Sequence, residues 1–381
     1  MDWKVQLFKL NYDSAEVDAV CEVVRSGWLT MGEQTSQFEM EFAQYLGNDA
    51  KAAAVSNGTA ALHLALIALN VGPGDEVIVP GLTFVADINA VMLTGATPVL
   101  ADSTSFSDWN MDPEDIGRKI TDRTKAVILV HYAGVPCNLD GILKICRDNG
   151  IAVIEDCAHA PGAKYKGRAV GTFGEFGCWS FFTNKNISVG EGGMVTTCST
   201  ELDQQVRYLR SHGMTTLTLD RHKGRAVTYD VVRPGLNYRI DEMRAALGRV
   251  QLRKLDAANA RRKEVVDLYK RGLDGQPCLD IPFRTLTDKV SSYHIFPVLL
   301  AEGIDRGKVI EGMKRRGIQS SIHYPSIAGF SAYADMDLGG AMIADAISRR
   351  ELTLPLYPTM SDQDASLVVS ALIEALEESV S

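Results

Sequence analysis

Ala126-Val127-Ile128-Leu129-Val130 is an unbroken apolar run, and Val127, Ile128 and Val130 in it are β-branched. A strand that shows one face to water alternates apolar and polar residues. An unbroken run suits a strand covered on both faces, as in a parallel sheet. Similar runs lie on either side: residues 52–55, 76–79, 97–101 and 151–154 also read as strands. Helical patterns fall between them, from the first run through residue 69, over 85–93, near 112–119 and over 139–149. Strands spaced by helices imply βαβ units, so the expected fold is α/β with a mostly parallel sheet covered by helices.

Further along, residues 178–182 and 193–197 read as two strands close together. Asp241 can cap a long helix, rich in Arg, Lys and Ala, that runs to about residue 273. An α+β pattern follows: a strand over 293–300, a helix over 306–316 and a strand over 318–322. Ser361-Asp362-Gln363-Asp364 opens a terminal amphipathic helix to about residue 377. The expected organisation is a large domain over 1–250 and a smaller C-terminal domain over 251–381, with residues 1–14 packing on the smaller one.

The 381 residues carry a formal net charge of -9, with 46% hydrophobic and 23% charged residues. That balance argues against a general nucleic-acid or anionic-membrane binder, but not against an anionic small substrate in a local cationic pocket. Cys21, Cys137, Cys146, Cys157, Cys178, Cys198 and Cys278 are scattered and contain no C-x-x-C pair. Reduced thiols in the cytosol fit this better than a disulfide framework or a zinc site. No basic segment leading into an apolar core opens the chain, and no apolar run reaches the ~18 residues that span a membrane. A cytoplasmic location is expected.

Lys185 sits in Ser180-Phe181-Phe182-Thr183-Asn184-Lys185-Asn186, just before Gly190-Glu191-Gly192-Gly193. The strand over 151–154 ends in Glu155-Asp156, with His159 three residues on. A lysine after one buried strand and an acid at the end of another are what pyridoxal phosphate chemistry needs. The amine forms a Schiff base with the aldehyde, and the carboxylate keeps the ring nitrogen protonated. Ser56-Asn57-Gly58-Thr59-Ala60-Ala61-Leu62 lies between a strand and a helix. Its first helical N–H groups and the Thr59 hydroxyl can receive an anion, though taken alone a plain helix cap is the better reading. Ser180 is either a further phosphate ligand or a polar strand residue. Phe84 follows a strand end, where a flat ring could stack on it; an aromatic there is more often core. His159 could bond the cofactor's phenolic oxygen, or be a satisfied interior histidine.

Together these motifs resemble the DegT/StrS-type family of pyridoxal-phosphate sugar aminotransferases, within the aspartate aminotransferase superfold. The resemblance runs from Ser26-Gly27-Trp28-Leu29-Thr30-Met31-Gly32 to Leu352-Thr353-Leu354-Pro355-Leu356-Tyr357-Pro358. It implies a seven-stranded type of sheet and a smaller α+β domain. It implies that Lys185 is the Schiff-base lysine and Asp156 the pyridinium partner. His159 would contact the ring oxygen, Phe84 stack on the ring, and Gly58, Thr59 and Ser180 hold the phosphate. Asn237, in Gly235-Leu236-Asn237-Tyr238-Arg239, would reach the phosphate from the other subunit of a homodimer. The implied reaction moves an amino group from glutamate or glutamine to a carbonyl of a nucleotide-linked keto sugar or another carbohydrate. The product would be an amino sugar for a surface polysaccharide or a secondary metabolite. One departure is His323-Tyr324-Pro325-Ser326-Ile327-Ala328-Gly329-Phe330, where the family often has an H-Y-x-P-L-H-like run; it borders the substrate site in the family. Sugar dehydration, carbon–sulfur cleavage and a non-catalytic cofactor-binding regulator are the alternative readings. Lys185 in place of the histidine of related dehydratases favours amino transfer.

Overall fold

The computed structural model describes residues 3–216, 224 and 228–380. The first five strands are β1 (Lys51–Val55), β2 (Glu76–Pro80), β3 (Thr97–Ala101), β4 (Thr124–Val130) and β5 (Ala152–Asp156). A short hairpin, β6 (Lys164–Tyr165) and β7 (Arg168–Ala169), precedes β8 (Phe176–Ser180) and β9 (Gly193–Thr197). Seven of these form one sheet in the order β1-β9-β8-β5-β4-β2-β3. From β3 to β8 the neighbours run parallel; β9 and β1 close the edge antiparallel. The fold is the α/β one expected, with a mostly parallel sheet covered on both faces.

Alternation across the pleat explains the unbroken apolar runs. Ala126 and Ile128 of β4 join one core with Ile154 and the helix Gly58–Ala68; Val127 and Leu129 join the other with Val153 and the helix Glu33–Leu46. Both faces are buried, so neither needs polar residues. β8 stops at Ser180, two residues short of the expected end. Phe181 leaves the ladder and packs on Phe38 and Phe42, with ring centroids 5.3 and 5.7 Å away. The Lys185 N–H then bonds the Phe182 carbonyl at 2.8 Å, which closes the turn that carries the lysine.

The long helix spans Glu242–Gly272, and the Asp241 side chain accepts from Arg244 N–H at 2.9 Å, as a cap should. Residue 250, the expected domain boundary, lies inside this helix, so large and small parts share it. Its early turns pack on the helices Ser14–Ser26 and Glu33–Leu46, and its later turns on the terminal helix Asp362–Val380. Beyond it come β10 (Leu279–Asp280), β11 (Lys289–Val290), β12 (Phe296–Leu300) and β13 (Glu351–Leu354), of which β10-β12-β13 form a second sheet. β12 begins later than the expected residue 293. Ser292 and His294 instead donate their N–H groups to Gly134 and Ala133 of the large part, both at 3.1 Å. The strand expected over 318–322 is not one. Ile318 bridges to Val5, and Ser321 bridges to Thr353, so the run changes partner before a ladder can form. The N-terminal arm thus packs on the C-terminal part, with Val5 buried there and Leu356 N–H bonding the Leu7 carbonyl at 3.1 Å.

Candidate active site

Ligands of parallel sheets collect beyond the carboxyl ends of the strands. Here a cavity of about 590 Å³ opens there, walled by Gly58, Thr59, Phe84, Asp156, His159, Ser180 and Lys185 together with His323 and Tyr324. The same cavity therefore gathers all but one of the residues singled out from the sequence. Asn237 is the exception: it is exposed, and its Oδ1 accepts from Arg239 Nε at 2.9 Å.

One wall is an anion cradle. Asn57 caps the helix Gly58–Ala68, its Oδ1 accepting from Ala60 N–H at 2.8 Å. The Gly58 and Thr59 N–H groups have no acceptor among the described residues. Ser180 lies beside them, close enough that a Cβ on Gly58 would meet the Ser180 Cβ at 2.9 Å. Two free helix N–H groups and a hydroxyl suit a phosphate.

Opposite stands the charged pair. Glu155 and Asp156 end β5 and point to opposite faces. Glu155 is structural: its carboxylate accepts from the N–H groups of Gly171, Phe173 and Gly174 at 2.7–2.9 Å and from His131. His131 Nδ1 accepts from Cys137 N–H, so its Nε2 carries the proton given to Glu155. Cys157 lies near these two, but the donors already fill the carboxylate, and no metal is needed to satisfy the cluster. Asp156 faces the cavity instead, its Oδ1 accepting from Ala158 N–H at 2.7 Å.

Asp156 also meets Asp87, a residue that sequence reading passed over. Asp87 is fully buried on the helix Val85–Leu93 and takes the Thr83 hydroxyl on Oδ2. Its Oδ1 has no hydrogen-bond partner among the described residues, and the Asp156 carboxyl lies close enough to act on it, so a proton shared between the two carboxyls would satisfy both. Burial, then the charge of Asp156, pushes Asp87 well above the usual carboxylate range. Burial raises Asp156 as well, but the Ala158 N–H, Lys185 and Asp87 itself all favour its charged form. Asp87 is the protonated member, and Asp156 the anion. An acid four residues after Thr83, in a helix whose only other polar residue is Asn89, was the available signal.

No described group hydrogen-bonds the Lys185 amine, which lines the cavity. Desolvation pushes its pKa down to about 8, against a partial restoring pull from Asp156. His159 accepts Ala133 N–H on Nδ1 at 3.3 Å, which leaves the proton on Nε2. That nitrogen lies 2.8 Å from the Tyr324 hydroxyl. Burial, with Lys185 nearby, holds His159 neutral. Phe84 is 53% exposed for so large an apolar ring, and faces Tyr324 at 5.6 Å between centroids.

A parallel α/β sheet with a desolvated lysine, a buried carboxylate and an anion cradle at its strand ends defines the class of pyridoxal-phosphate-dependent transferases. Comparison with known proteins narrows it. The model of the DegT/DnrJ/EryC1/StrS aminotransferase family matches residues 11–373. An uncharacterized protein of Methanocaldococcus jannaschii is 37% identical over 371 residues, 95% of each chain. The aminotransferase TlmJ from Streptoalloteichus hindustanus is 33% identical, with a TM-score of 0.91 over 100% of both chains. Spr1654 from Streptococcus pneumoniae, described as a candidate sugar aminotransferase, is 29% identical in its PLP-form, with a TM-score of 0.90 over 100% of both chains. The chain belongs to the DegT/DnrJ/EryC1/StrS aminotransferase family, and is a pyridoxal-phosphate-dependent enzyme of the sugar aminotransferase type.

Proposed function

We propose that the enzyme moves an amino group from glutamate, or glutamine, onto a carbonyl carbon of a nucleotide-linked keto sugar, making an amino sugar. The observation that carries this reading is the meeting of anion cradle, lysine and carboxylate in one cavity. These residues fit pyridoxal phosphate. Gly58, Thr59 and Ser180 would hold the phosphate, Phe84 would lie against the ring, and Asp156 would hold the proton on the ring nitrogen. His159, whose proton is on Nε2, would donate to the ring oxygen, in competition with Tyr324. When bound, the cofactor supplies an aldehyde that captures amines and a ring that accepts electrons.

The remaining chemistry falls to the chain. Lys185 would hold the cofactor through Nζ and would be freed when the donor amine takes its place. Its Nζ then takes the proton from the donor's Cα. A pKa of about 8 leaves far more free amine near neutral pH than an ordinary lysine has. Asp156 stays anionic because Asp87 carries the shared proton. The enzyme works as a homodimer in this reading, with Asn237 of each chain reaching the phosphate held by the other. The exposed position of Asn237, outside its own chain's cavity, supports that arrangement.

Two half-reactions test the proposal. Glutamate or glutamine should convert the aldehyde absorbance of the loaded enzyme to that of the aminated form. A screen of nucleotide-linked keto sugars should then find one that restores it. No conversion with either amino acid would remove the donor assignment. Restoration by simple keto acids but by no keto sugar would remove the acceptor assignment.

A further inference from the structure

A chain of polar contacts runs from the cavity wall into the C-terminal part. His323 lines the cavity, and its Nδ1 lies 2.9 Å from Thr353 Oγ1. The Thr353 hydroxyl is hydrogen-bonded in turn to Glu351 Oε1. Glu351 Oε2 accepts from the His323 backbone N–H at 2.7 Å, which closes a ring of contacts. Tyr132 donates its hydroxyl to the His323 carbonyl and fixes that backbone. Thr353 and Glu351 stand two apart on β13 and so share a face. They are 1% and 0% exposed. Among the described residues nothing bonds His323 Nε2, the nitrogen left for the cavity.

A hydroxyl has one proton to give, so this chain has two consistent arrangements. With Glu351 ionised, Thr353 donates to Glu351 and its oxygen accepts from His323 Nδ1–H. His323 Nε2 then offers a bare lone pair. With Glu351 protonated, the carboxyl O–H donates to Thr353, whose own O–H donates to His323 Nδ1. The imidazole proton then sits on Nε2. The two states differ by one proton. A proton taken up at Nε2 releases Nδ1–H to Thr353, and Thr353 releases its own to Glu351. The imidazole is neutral before and after.

We propose that Glu351, acting through Thr353, sets which nitrogen of His323 is protonated, and so whether His323 offers a hydrogen-bond donor or acceptor to the carbohydrate. This rests on the reading of the cavity as a sugar aminotransferase site. His323 is the residue that touches substrate; Thr353 and Glu351 are positioning residues. A donor suits a carbonyl oxygen, and an acceptor suits a sugar hydroxyl.

The surrounding charges agree. Burial pushes Glu351 up to about 8, against the opposing pull of Thr353, the His323 N–H and Arg306. Arg306, on the helix Arg306–Arg315, reaches only backbone oxygens here, those of Ser348 and Glu351. Tyr132 and Tyr324 face the same carboxyl, and burial keeps both phenols protonated. Burial and the nearby Lys185 push His323 down to about 4, so it stays neutral while Glu351 titrates. The donor arrangement therefore holds near pH 7, and the acceptor arrangement above about pH 8.

The test is 15N NMR of cofactor-loaded enzyme labelled at histidine, with His323 assigned by its loss in His323→Gln. Wild type should show Nε2–H near pH 6.5 and Nδ1–H near pH 9.5. Glu351→Gln can accept the His323 N–H on oxygen and donate to Thr353 through its amide, so it should lock Nε2–H at both pH values. Thr353→Val should abolish the pH response, and Thr353→Ser should keep it. A wild-type tautomer that ignores pH, or a response that survives in Thr353→Val, overturns the relay. In kinetics, the KM for the keto sugar should change roughly tenfold across pH 8 in wild type, about one hydrogen bond, and stay flat in Glu351→Gln. The glutamate half-reaction should be common to both. A tautomer switch with no effect on the sugar KM overturns the substrate-facing role while leaving the donor assignment untouched.

Discussion

Lys185 and Asp156 divide the work through their surroundings. The cavity walls desolvate the lysine and favour its neutral amine, while Asp87 holds a proton that lets Asp156 remain charged beside it. Lys185→Ala should abolish turnover and remove the absorbance of the lysine–cofactor bond, though phosphate contacts can still retain the cofactor. A turning-over variant that keeps that absorbance would refute the assignment. The carboxyl pair gives a sharper contrast. Asp87→Asn still donates to Asp156 and should cost little. Asp87→Ala removes a hydrogen bond to a charged group, worth ~1.5–3 kcal/mol, and should slow single-turnover proton transfer ~10- to 100-fold. Equal rates in the two variants would show that Asp87 does not hold the proton. Lys185 and Asp156 were legible in the sequence because each stands at a strand end beside a recognisable turn. Asp87 was not, because it lies on a helix and its importance comes from a partner at the end of β5, 69 residues away in number but beside it in the fold.

Elements transmit the same logic at longer range. β1 to β5 could be read within a residue or two, since their apolar runs are imposed by burial on both faces. The C-terminal part was less legible. Residues 318–322 have the composition of a strand, but their hydrogen bonds are divided between the N-terminal arm and β13, a tertiary choice that local pattern does not encode. β13 also carries Glu351, whose folded pKa of about 8 exceeds its ordinary value of 4.5. Unfolded chain loses that proton first, so this group's contribution to stability is full below pH 4.5 and declines as pH rises toward 8. Glu351→Gln should flatten that decline. Denaturation midpoints of loaded enzyme at pH 5, 6.5 and 8 check it, and parallel curves for wild type and variant would place the titration elsewhere. The segment from His323 to Phe330 should govern acceptor choice, because His323 and Tyr324 wall the cavity. Replacing it with a relative's segment should alter the keto-sugar half-reaction and spare the glutamate one. An equal fall in both would make the segment structural.

At the scale of the whole molecule, the site is built between parts that could not assemble it alone. β5, β8 and the helix Gly58–Ala68 bring the lysine, carboxylate and anion cradle, while the C-terminal part adds His323 and Tyr324. Asn237 is left outside, exposed on an isolated antiparallel bridge to Ser211, between the helix Thr200–Arg210 and the long helix. There its side chain meets its own chain, its Oδ1 accepting from Arg239 Nε. The proposed dimer gives it another task, since a symmetric pair of chains makes two composite sites, each with Lys185 from one chain and Asn237 from the other. Complementation separates the two. A Lys185→Ala chain and an Asn237→Asp chain are each inactive or weak alone. In a mixed dimer, one site receives both defects and the other receives neither, so a mixed dimer should recover about half the wild-type activity, one intact site in two. Were Asn237 to serve its own subunit, each site would carry one defect, and chain exchange, verified by mass, would restore nothing.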